Sequence, residues 1–468
     1  MSSTLLTRPG STGSARRNPA IGMWVVLIGQ LMLVLDATIV NVALPHIASD
    51  LHFGSASLSW VLNAYSLAFG GMLLLGGRLG DVLGRRRVFM TGLSLFTLAS
   101  LAGGLAQAPW ELVTSRAVQG VGAALSAPSV LALIATNAPN EAARNRALAA
   151  FAVISSAGAA LGLMLGGALT DLVSWRWTMF VNVPIGLTVL LLVPGLVTET
   201  ARRHGRFDFI GAASATAAAV SIVWTVINAP EHGWGSARTI GGFVLGGALL
   251  AVLAVTERRH PHPLLRPALL RSRQRIAGLI SMAAVYGGML ATFFLTVQLL
   301  AHQFDYSPLR SGVAFLPVPI GVFTMSRLAP RLVVRVGPAP LIAAGAASVL
   351  IAMGLLLGVD SSTTYESGVF PSLLLMGLGM GASFMPITVL ALNGVEPEHT
   401  GAASGLLQTM QQLGGAVGLA VVASVYAGHR SSGFDSALQA GYGAATVLAA
   451  LALASGVTLL AHRRLATG

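Results

Sequence analysis

Asp36 places a carboxylate inside a run, residues 21–43, that is otherwise almost free of charge and long enough to cross a bilayer. About 20 apolar residues suffice for a span, and an acid near the middle of one costs roughly 2.5–3.5 kcal/mol on insertion scales. A carboxylate withheld from water is pushed toward its protonated form, so it can trade protons where a free aspartate stays ionised. Arg116 is the matching cation. Of the 28 basic residues, all of them arginine, it alone falls inside an apolar run. Its guanidinium keeps its charge at any working pH and needs an acceptor or a wet cavity. Each residue has two readings. Asp36 exchanges protons, or is a fixed partner of a neighbour such as Gln30, Thr38 or Asn41. Arg116 governs the acid, or snorkels to the membrane interface near its end of the helix. A permanent pair would favour the ionised acid, so any contact between the two is expected to depend on conformational state.

The rest of the chain supplies the elements that must position them. Apolar residues make up 54% of the 468 positions and charged residues 9%, with a mean hydropathy of +0.76. A soluble domain carries about 25% charged residues, so this composition cannot cover a water-facing surface. The sequence contains 55 glycines, which suit closely packed membrane helices. There is no cysteine, hence no disulfide and no cysteine-ligated metal. Fourteen apolar runs of spanning length are separated by short loops, and the charge of +12 lies in alternate loops rather than in a nucleic-acid-binding stripe. With the amino terminus placed in the cytoplasm, 23 arginines fall inside and four (Arg176, Arg238, Arg310, Arg430) outside. This is the asymmetry that the positive-inside rule demands. It puts both termini in the cytoplasm and the chain in the cell membrane as a multi-pass protein. No phosphate-binding glycine loop with its lysine, HExxH or serine–histidine–acid set is present, so the chain is not expected to be an enzyme or ATP-driven.

The order of the runs divides the chain into a polar tail (1–20) without a short cleavable signal, a first six-helix bundle (21–200), an extra helix pair (201–257), a basic linker (258–274), a second six-helix bundle (275–461) and a short tail (462–468). Two short arginine-rich loops, GGRLGDVLGRRRVF after the second run and SRLAPRLVVRVGPAPL after the tenth, stand at equivalent places if runs 9–14 repeat runs 1–6. Two related bundles are the plan of a transporter, with the path at their interface. The inserted pair carries no intramembrane acid and need not touch that path. The linker's arginines suit an anionic lipid surface. In the first loop, Gly77 and Gly84 permit a tight turn, Asp81 can accept hydrogen bonds at a helix amino terminus, and Arg85 and Arg86 can pair with it or reach the last carbonyls of a neighbouring helix. Polar residues within the runs (Thr38, Asn41, Asn63, Tyr65, Gln119, Gln298 and Gln408) could line a cavity or serve as glue between helices. Phe293, Phe294, Met376 and Met380 could form an adaptable apolar wall or ordinary core.

These segments resemble a known family. GRLGDVLGRRR resembles the signature loop of the major facilitator superfamily. LDATIVNVALP, WVLNAYSLAFGGMLLLGGRLGD, RAVQGVGAALSAPSVLALI, GGALTDLVSWRWTMFVNVPIG and GAASGLLQTMQQLGGAVGLA resemble its fourteen-helix drug:proton antiporter branch, in order and over the whole chain. The resemblance implies an all-α integral membrane protein of the major facilitator fold, with 14 transmembrane helices as two six-helix bundles plus an inserted pair. It implies proton-coupled export of amphipathic drugs, antibiotics or a related secondary metabolite by alternating access. It gives Arg116 a part in proton relay and makes the Gly77–Arg86 cluster a latch of the outward-facing state. No cofactor is implied, since the proton gradient drives the cycle. The partners implied are a small-molecule substrate, protons and membrane lipid, not nucleic acid, and a monomer suffices. The fifth run keeps the family's glycines (Gly158, Gly162, Gly166, Gly167), but Leu163 stands where the branch usually has proline. Two alternatives are a dedicated transporter of one metabolite, such as a sugar or amino acid, and a non-transporting membrane scaffold or sensor.

Overall fold

The computed structural model describes residues 19–54, 57–138, 140–200, 208–259, 272–359, 363–392, 395 and 400–467. The expected amino-terminal tail up to residue 18, the arginine-rich stretch 201–207 and linker residues 260–271 lie outside the described residues. Among the described residues all regular structure is helical. The long helices are α1 (Pro19–Asp50), α2 (Trp60–Leu83), α3 (Arg85–Gly104), α4 (Pro109–Asn137), α5 (Glu141–Leu172), α6 (Asn182–Leu196), α7 (Phe209–His232), α8 (Ala237–Arg259), α9 (Arg273–His302), α10 (Pro317–Val336), α11 (Pro338–Leu357), α12 (Phe370–Leu392), α13 (Thr400–Gly428) and α14 (Phe434–Thr467). Thirteen helical stretches are long and apolar enough to cross a membrane, and α5, with its apolar segment Ala160–Leu172, makes the fourteenth. Short helices Trp177–Phe180 and Pro308–Ala314 lead into α6 and α10.

Helix pairing exposes the duplication. In the first bundle α1 packs on α5 and α6, α4 on α2 and α3, and α3 on α6. In the second, α9 packs on α13 and α14, α12 on α10 and α11, and α11 on α14. The two arginine-rich turns match as well. Gly84, at φ +105°, reverses the chain between α2 and α3, and Gly337, at φ +86°, does so between α10 and α11. Both values lie where only glycine sits without strain.

The apolar cores show how the halves meet. At the membrane face away from the chain termini, one continuous core joins them: Ile39, Leu44, Ile47 and Leu62 of the first bundle share it with Phe294, Phe315, Met353 and Tyr426 of the second. At the face carrying the termini the cores are separate, one around Leu27, Phe89, Val130 and Val193 and another around Leu279, Ile342, Ile387 and Leu406. Glycines bring the backbones together at the closed end. A Cβ on Gly167 would lie 2.5 Å from the Pro308 carbonyl oxygen, and one on Gly312 2.5 Å from that of Leu163. Along one flank α2 also keeps contact with α13, where the Thr409 hydroxyl donates to the Gly70 carbonyl at 3.1 Å.

The inserted pair is more involved than its lack of acids suggests. α8 packs on α7, but α7 lies against both α2 and α13, the two helices that join the bundles along that flank. Leu67, Val223, Ile227, Ala416 and Ala420 form a shared cluster there, and the Ser424 hydroxyl donates to the Val226 carbonyl at 2.8 Å.

Candidate functional site

Asp36 lies midway along α1, and α5 fixes that stretch of helix. Gly158, Gly162 and Gly166 are spaced one turn apart, and the last two bring the α5 backbone against that of α1. A Cβ on them would meet Val34, Thr38 with Leu35, and Ile39 respectively. Small residues at this spacing allow the closest approach of two helices in lipid. Leu163 lets α5 run unbroken from Glu141 to Leu172 and buries its side chain in the shared core. Where proline is absent, no carbonyl is freed and no kink is forced.

The Asp36 carboxylate has no solvent exposure, and the Arg116 side chain has 1%. Arg116 Nη1 donates to Asp36 Oδ2 at 2.5 Å and to Gln119 Oε1 at 2.8 Å, and its Nε donates to the Val61 carbonyl at 3.1 Å. The Tyr65 ring covers the guanidinium, 4.6 Å from centroid to Cζ. Asp36 Oδ1 accepts from Asn182 Nδ2 at 2.8 Å and from Gln119 Nε2 at 3.1 Å, and Gln119 Nε2 also donates to the Ser100 hydroxyl at 2.7 Å. Five helices of the first bundle therefore converge on one ion pair. Such a pair is retained out of water only when its remaining hydrogen-bonding capacity is met by neighbours, and here neutral amides meet it. If Arg116 withdraws, Gln119 and Asn182 still serve the carboxyl in either protonation state, because an amide side chain both donates and accepts.

The other sequence candidates scatter. Gln119 and Tyr65 join the site. Thr38 and Asn41 bond back to their own helix, at Val34 and Leu35 and at Ala37 and Thr38, so neither is the partner of Asp36. Asn63 is fully buried with neither amide atom bonded. Gln298 is buried in α9 of the second bundle and Gln408 is exposed on α13, both apart from the ion pair. Phe293, Phe294, Met376 and Met380 are core residues rather than a cavity wall. Asn182 and Ser100 belong to the site and were missed from sequence. The one signal for Asn182 is an amide opening the sixth run within the quoted segment WTMFVNVPIG.

At the face carrying the termini, Asp81 ends α2 and receives Arg85 Nη2 at 2.6 Å, while Arg85 also reaches the Pro128 carbonyl at 3.4 Å. Gly80 leaves room for the Arg85 chain. Gly77 faces only Pro128. Arg86 Nη1 donates to the last carbonyls of α6, Val197 at 3.0 Å and Pro194 at 3.4 Å. The carboxylate at the amino terminus of α3 is not Asp81, as expected, but Glu199, which accepts from the backbone N–H groups of Arg86 at 2.8 Å and Arg87 at 3.1 Å. An acid there meets both the free amide groups and the positive end of the helix dipole. All these contacts stay within the first bundle.

Two matched helical bundles, the first built around a sealed polar constellation, are the plan of a membrane transporter. The chain belongs to the Major Facilitator Superfamily, whose family model matches residues 26–419. It is 40% identical to the puromycin resistance protein pur8 of Streptomyces alboniger, over 94% of this chain and 89% of that one. It is 39% identical to the cephamycin export protein CmcT of Amycolatopsis lactamdurans, over 89% and 86%. The crystal structure of the peptide transporter POT in complex with sulfate superposes with a TM-score of 0.69 at 15% identity, over 94% of each chain, which shows the shared fold.

Proposed function

We propose that this chain exports amphipathic antibiotics or related secondary metabolites across the cell membrane in exchange for protons, with both termini cytoplasmic. In that orientation the present conformation is inward-facing, since the halves share a core at the outer face and keep separate cores at the inner one. The Gly77–Arg86 cluster, confined to one bundle here, is then a latch awaiting the outward-facing state.

The observation that carries the reading is the Asp36–Arg116 pair, an ion pair buried midway along α1 and held by neutral amides. In the cycle proposed, Asp36 is ionised and paired in the inward state. It takes a proton when the outer side opens and Arg116 lets go, then gives it up inside. Proton and substrate need not occupy the same atoms. They compete through the conformation that pairs or parts the two residues. Asp36→Asn is expected to abolish efflux driven by an imposed pH gradient in membrane vesicles while the protein still folds, and full efflux in that variant would overturn the reading.

A specialist exporter of one compound is the second reading, favoured by relatives whose names each specify one antibiotic. A transport panel of unrelated amphipathic compounds separates them: one substrate supports the specialist, many the multidrug pump.

A further inference from the structure

We infer that Tyr65 is the positioning residue through which substrate in the central path acts on the buried ion pair, an inference that rests on the proton-exporter reading above. Asp36 and Arg116 are sealed from solvent, so a substrate between the bundles can reach them only by moving a neighbour. α2 grips Arg116 twice within one turn, through the Val61 carbonyl and through the face of the Tyr65 ring. Tyr65 is 6% exposed and stacks on Phe69, with centroids 5.9 Å apart and planes 29° apart.

The same helix also meets the second bundle. Gly70 accepts from Thr409 and lies against the Gln412 side chain. The ring of Tyr286 on α9 lies against Gly415 of α13 and 6.5 Å from that of Phe384 on α12. Tyr65 and Phe69 on α2 and Tyr286 and Phe384 on helices of the second bundle supply aromatic rings from both halves.

A ligand that stacks on these rings displaces Tyr65, which loosens the ring's hold on Arg116, or shifts α2, which loosens the ring and the Val61 carbonyl together. Gln119 on α4 and Asn182 on α6 keep their bonds to Asp36, so the carboxyl is left among neutral donors. These rings suit flat aromatic groups, because rings favour offset stacking. Tyr65 acts through Arg116 and does not itself carry the proton.

The test uses the full chain in liposomes, with puromycin and ethidium as probes, and compares accumulation driven by a pH gradient with equilibrium exchange in its absence. Tyr65→Leu is expected to keep exchange but lose gradient-driven accumulation by about tenfold, the order set by a desolvated cation–π contact. Tyr65→Phe, which keeps the ring face, is expected to retain both. Tyr65→Met offers the same loss should the leucine variant fold poorly. Accumulation and exchange falling together with a raised KM would show that Tyr65 is only a binding wall and overturn the inference, as would wild-type accumulation in Tyr65→Leu. If Asp36→Asn accumulates probe as well as the wild type, or the wild type ignores the gradient, the proton-exporter reading fails and takes the inference with it.

Discussion

Asp36 accepts hydrogen bonds from one charged and two neutral donors, and the mixture decides what each substitution does. Arg116→Ala leaves a buried carboxylate without its counter-charge, a loss of about 3–5 kcal/mol for pairs of this kind. Thermal unfolding in detergent should show that loss, and adding Asp36→Asn should recover much of it, because the double variant has no charge left to bury. Equal stability of Arg116→Ala and the double variant would contradict the pairing. Arg116→Lys keeps the charge but cannot span Val61, Gln119 and Asp36 with one planar group, so gradient-driven transport should fall sharply while the fold survives. Both ionised residues were legible in the sequence because charge inside an apolar run is rare and costly. Asn182 and Ser100 were not. An amide or hydroxyl is common in such runs, and only the packing of α3 and α6 against α1 and α4 reveals what each one meets.

Helices set the register of those contacts. The glycine row on α5 was plain in the sequence, and the structure shows why its spacing matters. Gly162 and Gly166 lie against the α1 backbone on either side of the turn that follows Asp36, so a branched side chain there has nothing flexible to push aside. Gly158 meets the end of the Val34 side chain, which can yield. Gly166→Val should therefore destabilise the protein by about 1–3 kcal/mol and cost transport. Gly158→Ala should be milder, and a melting-temperature series across the three positions checks the order. Glu199 was hidden for a different reason. Its partners are backbone N–H groups more than a hundred residues earlier, at the start of α3, and a backbone donor leaves no trace in residue type. Glu199→Gln keeps an acceptor but loses the charge facing the helix dipole and should cost less than Glu199→Ala, for which about 1 kcal/mol is the usual loss of a cap.

At the scale of the whole molecule, the two-bundle plan could be anticipated from charge alternation and the repeated loops, and the same helix pairings recur in both bundles. The conformation could not be anticipated, because one sequence must fit at least two states. The place of α7 was also hidden, since its outer and packed faces are equally apolar. Closure at the face away from the termini sets Gly167 and Gly312 against facing backbone. Gly167→Trp should wedge that face open. The chain has no cysteine, so Leu163→Cys, buried in the shared core, gives a reporter on a silent background. Labelling of that cysteine by a membrane-impermeant maleimide should rise severalfold when the wedge is added. Unchanged labelling would mean that the halves do not part there.

In the proposed cycle Asp36 alternates between an ionised, arginine-paired state and a protonated one. Infrared difference spectroscopy of the purified protein, with and without substrate, reads this directly, using Asp36→Asn to assign the carboxyl band. The expected result is a protonated-carboxyl band that appears or vanishes with substrate in the wild type and has no counterpart in the variant. A difference spectrum in which the carboxyl signal never changes, at any working acidity, would contradict it.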